Sequence, residues 1–165
     1  MAITELLRRY EAGGGRGGSA RVAEATAAPA LRTVLLTCMD SRIDVFALFG
    51  VEPGEVHVLR NAGGVVTDDV LRSLIISQRR LGTCHVLIVQ HTGCGLATLR
   101  NDAFREELAV EVGMEPGWST HAFTEPGVTV RRGMARLRQD PFVLAGTTVR
   151  GFVLDVDDFG LVEVE

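Results

Sequence analysis

Basic residues do not predominate in this chain. Lys and Arg together number 17 against 21 Asp and Glu, the formal net charge is −4, and no block of four or more basic residues occurs. Such a surface does not neutralise a phosphate backbone, so no nucleic-acid partner is expected. Aromatic residues make up only 5% of the sequence, which also removes a stacking platform for bases. No apolar run approaches the roughly 18–20 residues of a membrane span. The opening MAITELLRRYEAGGG carries acids early and no apolar core of signal-peptide length. A soluble, cytoplasmic protein without membrane attachment is the expectation. Cysteines number three. An odd count in a mid-sized chain does not suit a disulfide framework, and a reducing compartment leaves thiolates free to bind metal.

A hydrophobic share of 46% and a charged share of 23% over 165 residues suit one globular domain with one core. The division expected is an N-terminal arm over residues 1–30 and an α/β core over 31–165. In the arm, residues 3–11 read as a short amphipathic helix with Leu6, Leu7 and Tyr10 on one side. A glycine-rich joint, Gly13 to Gly18, follows, then an alanine-rich piece, Ala20 to Ala28, ended by Pro29. The arm buries little alone, which points to packing on the core or on a partner subunit.

From Leu31 the texture changes. Residues 33–37 (TVLLT), 56–59 (VHVL) and 85–89 (HVLIV) are short continuous apolar runs, as in strands covered on both faces of a parallel sheet. Helical patterns lie between and after them, over 43–49, 67–81, 96–110 and 128–139. The clearest has Thr67 as N-cap, Asp68 and Asp69 in its first turn, Arg79 and Arg80 in its last, and Gly82 as stop. The tail alternates through VRGFVLDV, turns at 157–160 and returns through LVEVE, a hairpin signal. Strands alternating with helices predict an α/β fold: a mostly parallel sheet of four parallel strands plus an antiparallel C-terminal strand, flanked by helices. Ligands in such folds gather beyond the carboxyl ends of the strands, where the strand order reverses.

The residues at those ends carry the chemistry. Cys38-Met39-Asp40-Ser41-Arg42 follows the first strand, Arg60-Asn61-Ala62-Gly63-Gly64 the second, and His91-Thr92-Gly93-Cys94-Gly95 the third. If strands one and three are neighbours, Cys38 meets His91 and Cys94. Two sulfurs and an imidazole are a natural set for zinc, and three protein ligands leave a position open, the pattern of a catalytic site. A lone H-x-x-C arises easily by chance, and CxDSR alone also reads as an Asp–Arg pair capping a helix. Together, each at a strand end, they are specific.

CMDSR, RNAGG and HTGCG, in that order and spacing, resemble the motifs of the β-class carbonic anhydrases. The resemblance runs from about Leu31 through the tail and is nearest to the short-chain branch, which includes relatives acting on carbonyl sulfide or carbon disulfide. It implies one Zn²⁺ per chain on Cys38, His91 and Cys94. The implied reaction is reversible hydration of carbon dioxide to bicarbonate and a proton, by attack of zinc-bound hydroxide. Asp40 and Arg42 are the implied catalytic pair, with Asp40 as a possible fourth ligand in a closed state, and Asn61, Ala62, Gly63 and Gly64 line the substrate pocket. A homo-oligomer, a dimer or a multiple of dimers, is implied as well. The same zinc site hydrolysing carbonyl sulfide or carbon disulfide is the alternative, and a non-catalytic zinc-binding homologue a second. His57 and His85 fall in expected strands and read as structural, and no proton-shuttling histidine is assigned. Cys84 reads as an inert core residue, and Met39 is expected to point into the core.

Overall fold

The computed structural model describes residues 2–14 and 26–165. Its five-stranded sheet has the order β2-β1-β3-β4-β5. The strands are β1 (Thr33–Cys38), β2 (Val56–Asn61), β3 (His85–His91), β4 (Thr148–Leu154) and β5 (Leu161–Val164). β1 pairs in parallel with β2 and β3, β3 with β4 in parallel, and β4 with β5 antiparallel. The expected strand composition is therefore met, and strands one and three are neighbours.

The chain leaves β1 to one side to form β2, then crosses to the other side of β1 to form β3. This reversal puts a crevice at the carboxyl end of β1. Register places Cys38 opposite Asn61 and Thr37 opposite Val89, so all three motifs emerge on one edge.

The helices are α1 (Ala2–Arg9), α2 (Val45–Phe49), α3 (Asp68–Leu81), α4 (Asn101–Val112) and α5 (Pro126–Gln139). α3 has the termini its sequence predicts. The Thr67 side chain accepts from Val70 N–H, and Gly82 caps the other end in the left-handed conformation, donating to Ser77 O. α5 starts two residues earlier than its periodicity suggests, because Pro126 suits the first helical turn, where no N–H is needed. α4 starts later. Gly95–Thr98 forms a separate 3₁₀ turn, and Leu99 and Arg100, the latter capping α4, are extended. Near the N-terminus, α1 runs into a π-helical turn at Tyr10–Gly14, with Ile3, Leu6, Leu7 and Tyr10 exposed. The alanine-rich piece lies mostly outside the described residues; its last three, 26–28, are not helical.

Two apolar layers enclose the sheet. On one face Val34, Leu36 and Ile88 meet Val70 and Leu74 of α3 and Val130, Met134 and Leu137 of α5. On the other, Leu35, Val89 and Leu154 meet Ile43 and Val45, and this second cluster contains Cys38 and Cys94. The two thiols therefore sit at the end of a packed, water-poor layer. No described helix is long and apolar enough to cross a membrane.

Candidate metal centre

Cys38 ends β1, His91 ends β3, and Cys94 lies one turn beyond His91. All three are buried, and their ligand atoms lie within 4.8 Å of one another. The two sulfurs are 3.9 Å apart. Two thiolates on a tetrahedral zinc, each at about 2.3 Å, would be separated by about 3.8 Å. Cys84, the third cysteine, is half-buried before the other end of β3 and takes no part.

The imidazole is oriented for a cation. His91 Nδ1 lies 2.8 Å from Thr92 O, an acceptor, so Nδ1 carries the hydrogen and Nε2 the lone pair. Nε2 is buried and makes no hydrogen bond of normal geometry. A buried nitrogen lone pair turned toward two sulfurs, with its partner nitrogen fixed by a carbonyl, is the arrangement of a metal-ligating histidine. These residues fit zinc.

Electrostatics agree. Burial pushes the Cys38 thiol up, but the adjacent His91 ring and the backbone N–H groups of Asp40 and Gly63 outweigh it and bring Cys38 down to about 7. The Gly63 N–H donates to Cys38 Sγ at 3.3 Å. At Cys94 burial prevails, and the neighbouring Cys38 raises its thiol further. His91 is shifted up, first by Cys38 and, against burial, by the Thr92 carbonyl. A dication there would let both thiols ionise.

Asp40 stands beside the trio, with Oδ2 3.8 Å from His91 Nε2. Arg42 grips it twice, Nε donating to Oδ1 at 3.0 Å and Nη2 to Oδ2 at 2.8 Å, and the Arg42 backbone N–H adds a third bond to Oδ1 at 3.0 Å. This fork holds the Asp40 carboxyl well below the usual carboxylate range. Arg42 is anchored in turn by donating to Gly93 O at 3.1 Å.

The second motif closes the site from the other side. Asn61 is committed to its own loop: its side-chain Nδ2 donates to Val65 O at 2.8 Å and its Oδ1 accepts from Val65 N–H at 2.9 Å. Gly63 and Gly64 both have positive φ and are buried. Side chains would not fit there. A Cβ on Gly64 would lie 2.8 Å from the Thr37 carbonyl carbon, and one on Gly63 2.6 Å from Leu96 Cδ2.

Several supporting residues escape sequence reasoning. Arg60 donates to Cys38 O at 2.9 Å and to Asp40 O at 2.6 Å, clamping the first motif onto the second. Thr92 ties the third motif to the C-terminal hairpin, donating through N–H to Leu154 O and accepting on Oγ1 from Val156 N–H. Their only sequence signal is membership of the motifs. Met39 corrects an expectation. It is 66% exposed rather than in the core, because Cys38 turns inward and its neighbour faces out onto a cavity of about 580 Å³.

A family model described as carbonic anhydrase matches residues 33–122. The chain is 44% identical over 136 residues to β-carbonic anhydrase 1 of Mycobacterium tuberculosis, covering 82% of this chain and 83% of that one. A solved carbonic anhydrase from Streptococcus mutans superposes with a TM-score of 0.90 at 34% identity, covering 100% of this chain and 98% of the other. A carbon disulfide hydrolase of Saccharolobus solfataricus is 41% identical over 71 residues, 43% of this chain and 35% of that one.

Proposed function

The chain belongs to the β-class carbonic anhydrase family, and we propose that it catalyses reversible hydration of carbon dioxide with one Zn²⁺ held by Cys38, His91 and Cys94. The observation that carries this reading is the buried Cys–His–Cys trio beside an ionised Asp40 that Arg42 turns toward it. Zinc there would supply the Lewis acidity that makes water a nucleophile near neutral pH.

The chain's own residues do the positioning. Arg42 donates twice to Asp40 Oδ1 and once to Oδ2, and Oδ2 is the oxygen that lies toward the site, 3.8 Å from His91 Nε2. Oδ2 accepts a hydrogen bond from the attacking water and aims an oxygen lone pair at the carbon of CO₂. One C–O bond forms, one O–H bond of water breaks, and the proton leaves to buffer. Asn61, by closing its loop on Val65, sets Ala62, Gly63 and Gly64 as the pocket wall, with the Gly64 amide as the contact for a bicarbonate oxygen. Substitution of Arg42 would free Asp40 to swing toward the metal and close the site.

Carbon disulfide hydrolases match at lower identity, 41% over 43% of this chain, 36% over 60% and 27% over 76%, against 44% over 82% for the mycobacterial carbonic anhydrase, which favours carbon dioxide as the substrate. The exposed apolar face of α1, with Ile3, Leu6 and Leu7, supports residues 1–30 as an arm that packs on a second subunit in a dimer or multiple of dimers. Metal analysis with stopped-flow CO₂ hydration tests the function. One zinc per chain and fast hydration are expected. Zinc with turnover of carbonyl sulfide alone would reassign the substrate, and no zinc in folded protein would overturn the centre.

A further inference from the structure

Hydration of carbon dioxide releases one proton per turnover, and the residues around Asp40 do not dispose of it: Asp40 is held ionised by Arg42, and His91 is committed as a ligand. The outlet must lie further from the centre.

The cavity of about 580 Å³ beside the site is walled by immediate neighbours of the motif residues. Met39 adjoins both Cys38 and Asp40, Ala62 adjoins Gly63, and Leu96 packs over Gly63. Three titratable or charged side chains line it: Arg60, Asp69 and His121. Arg60 is a permanent cation bonded to the carbonyls of Cys38 and Asp40. Asp69 is paired with Arg72 at 2.8 Å. His121 alone belongs to the residue type that exchanges a proton readily near neutral pH.

The other histidines are at the wrong end. His85 opens β3, the end opposite His91. His57 lies near the start of β2, both ring nitrogens engaged, Nδ1 with Ser77 Oγ at 2.8 Å and Nε2 with Ala27 O at 2.9 Å. Neither His121 ring nitrogen has a hydrogen-bond partner among the described residues, and the residue is exposed.

His121 also lines a second pocket, of about 200 Å³, with Arg132 and Arg136 of α5. The residue therefore stands between the cavity at the metal end and a second pocket that carries Arg132 and the Asp68-paired Arg136. Its backbone is held for this position. φ is +54°, an uncommon region for a residue other than glycine. His121 N–H donates to Ser119 Oγ, and Asn101 Oδ1 accepts from Ser119 Oγ, Thr120 N–H and Thr120 Oγ1. A strained backbone kept by so many bonds is the kind of feature that marks a functional position.

We propose that His121 is the proton-transfer residue of this enzyme, taking the proton released in hydration through water in the cavity and passing it to buffer at the second pocket. The inference rests on the carbon dioxide reading above. In each cycle a ring nitrogen gains the proton lost from water, then yields it to a buffer base, and the ring returns to its starting state. The charged groups that line the two pockets with His121 are Arg60 and Asp69 in the first and Arg132 and Arg136 in the second, Arg136 being paired with Asp68.

The test compares wild type with His121→Ala in stopped-flow hydration at low and high buffer, after confirming equal zinc content and thermal stability. In low buffer the variant should lose about 10²-fold in kcat, the low end of what a positioned acid–base group supplies, with kcat/KM unchanged. Imidazole at high concentration should restore it. Equal kcat in low buffer, or a parallel fall in kcat/KM that imidazole does not rescue, would overturn the assignment while leaving the carbon dioxide reading intact. A wild type that does not hydrate CO₂ would remove both.

Discussion

Arg42 and Asp40 are joined by two parallel hydrogen bonds, of 3.0 and 2.8 Å, and the same arginine reaches Gly93 O at 3.1 Å. One side chain thus fixes the carboxylate relative to the loop that carries Cys94. Lysine offers a point charge and cannot reproduce the fork. Arg42→Lys and Arg42→Ala should both keep stoichiometric zinc and lose roughly 10²-fold in kcat/KM, the scale of a misplaced reacting group. Stopped-flow rates with metal analysis on the same samples check this. A lysine variant within a few-fold of wild type would show that charge alone suffices.

The same pair fixes a pH expectation. Arg42 depresses the Asp40 pKa, so the folded value lies below the unfolded one, about 3.9. The pair's stabilisation is then fully present above the unfolded value and is lost only as pH falls through the depressed one. Asp40 therefore stays ionised across the range in which the enzyme works, and any activity limb near neutral pH belongs to another group. Carboxyl ¹³C shifts of labelled aspartate, assigned with Asp40→Asn, should be flat for Asp40 from pH 8 to about 4. A transition between pH 5 and 8 would contradict the fork's effect.

What the sequence makes legible follows from how local each signal is. Residues 33–37 and 85–89 form inner strands whose apolar runs are largely buried, 56–59 forms a half-buried edge strand, and the Thr67–Gly82 helix is specified by its own caps. The Cys38–His91–Cys94 cluster is readable because strand-end motifs are short and their residue types are chemically narrow. Tertiary partners are not readable. Nothing in Arg60 announces that it spans to the carbonyls of Cys38 and Asp40, nothing in Thr92 that it binds the hairpin after Leu154, and Met39 faces out because its neighbour turns in. The late start of α4 has the same origin: Leu96 is drawn onto Gly63, which interrupts a pattern that would otherwise continue.

Arg60 itself gives a test of indirect support for the metal. Its guanidinium satisfies two carbonyls in the loop that carries Cys38 and Asp40. Arg60→Met preserves most of the stem and removes those bonds. Outer-shell losses of this kind typically cost 10–100-fold in metal affinity. Competition against a chromophoric chelator should show a zinc Kd raised by about that factor, with the far-ultraviolet circular dichroism unchanged. An unaltered Kd would assign Arg60 to the fold alone.

Glycine substitutions separate backbone strain from steric exclusion. Gly82 and Gly64 both have positive φ, +72° and +60°, so alanine at either forces a left-handed residue, a cost of roughly 1–2 kcal/mol. Around Gly82 nothing lies within 4 Å of the added Cβ, whereas at Gly64 it meets the Thr37 carbonyl carbon at 2.8 Å and the Cys38 nitrogen at 2.9 Å. Those are main-chain atoms of β1 at and beside Cys38, and they cannot rotate away. Gly64→Ala should therefore add an overpacking cost of about 1–3 kcal/mol to the strain, and the displaced Cys38 should release zinc more readily. Gly82→Ala should show the strain alone, with zinc affinity and hydration rate unchanged. Urea unfolding and zinc competition on the two variants would decide it: equal losses at both positions would mean that the Gly64 loop yields, and that its close approach to Cys38 is not what holds the ligand in place.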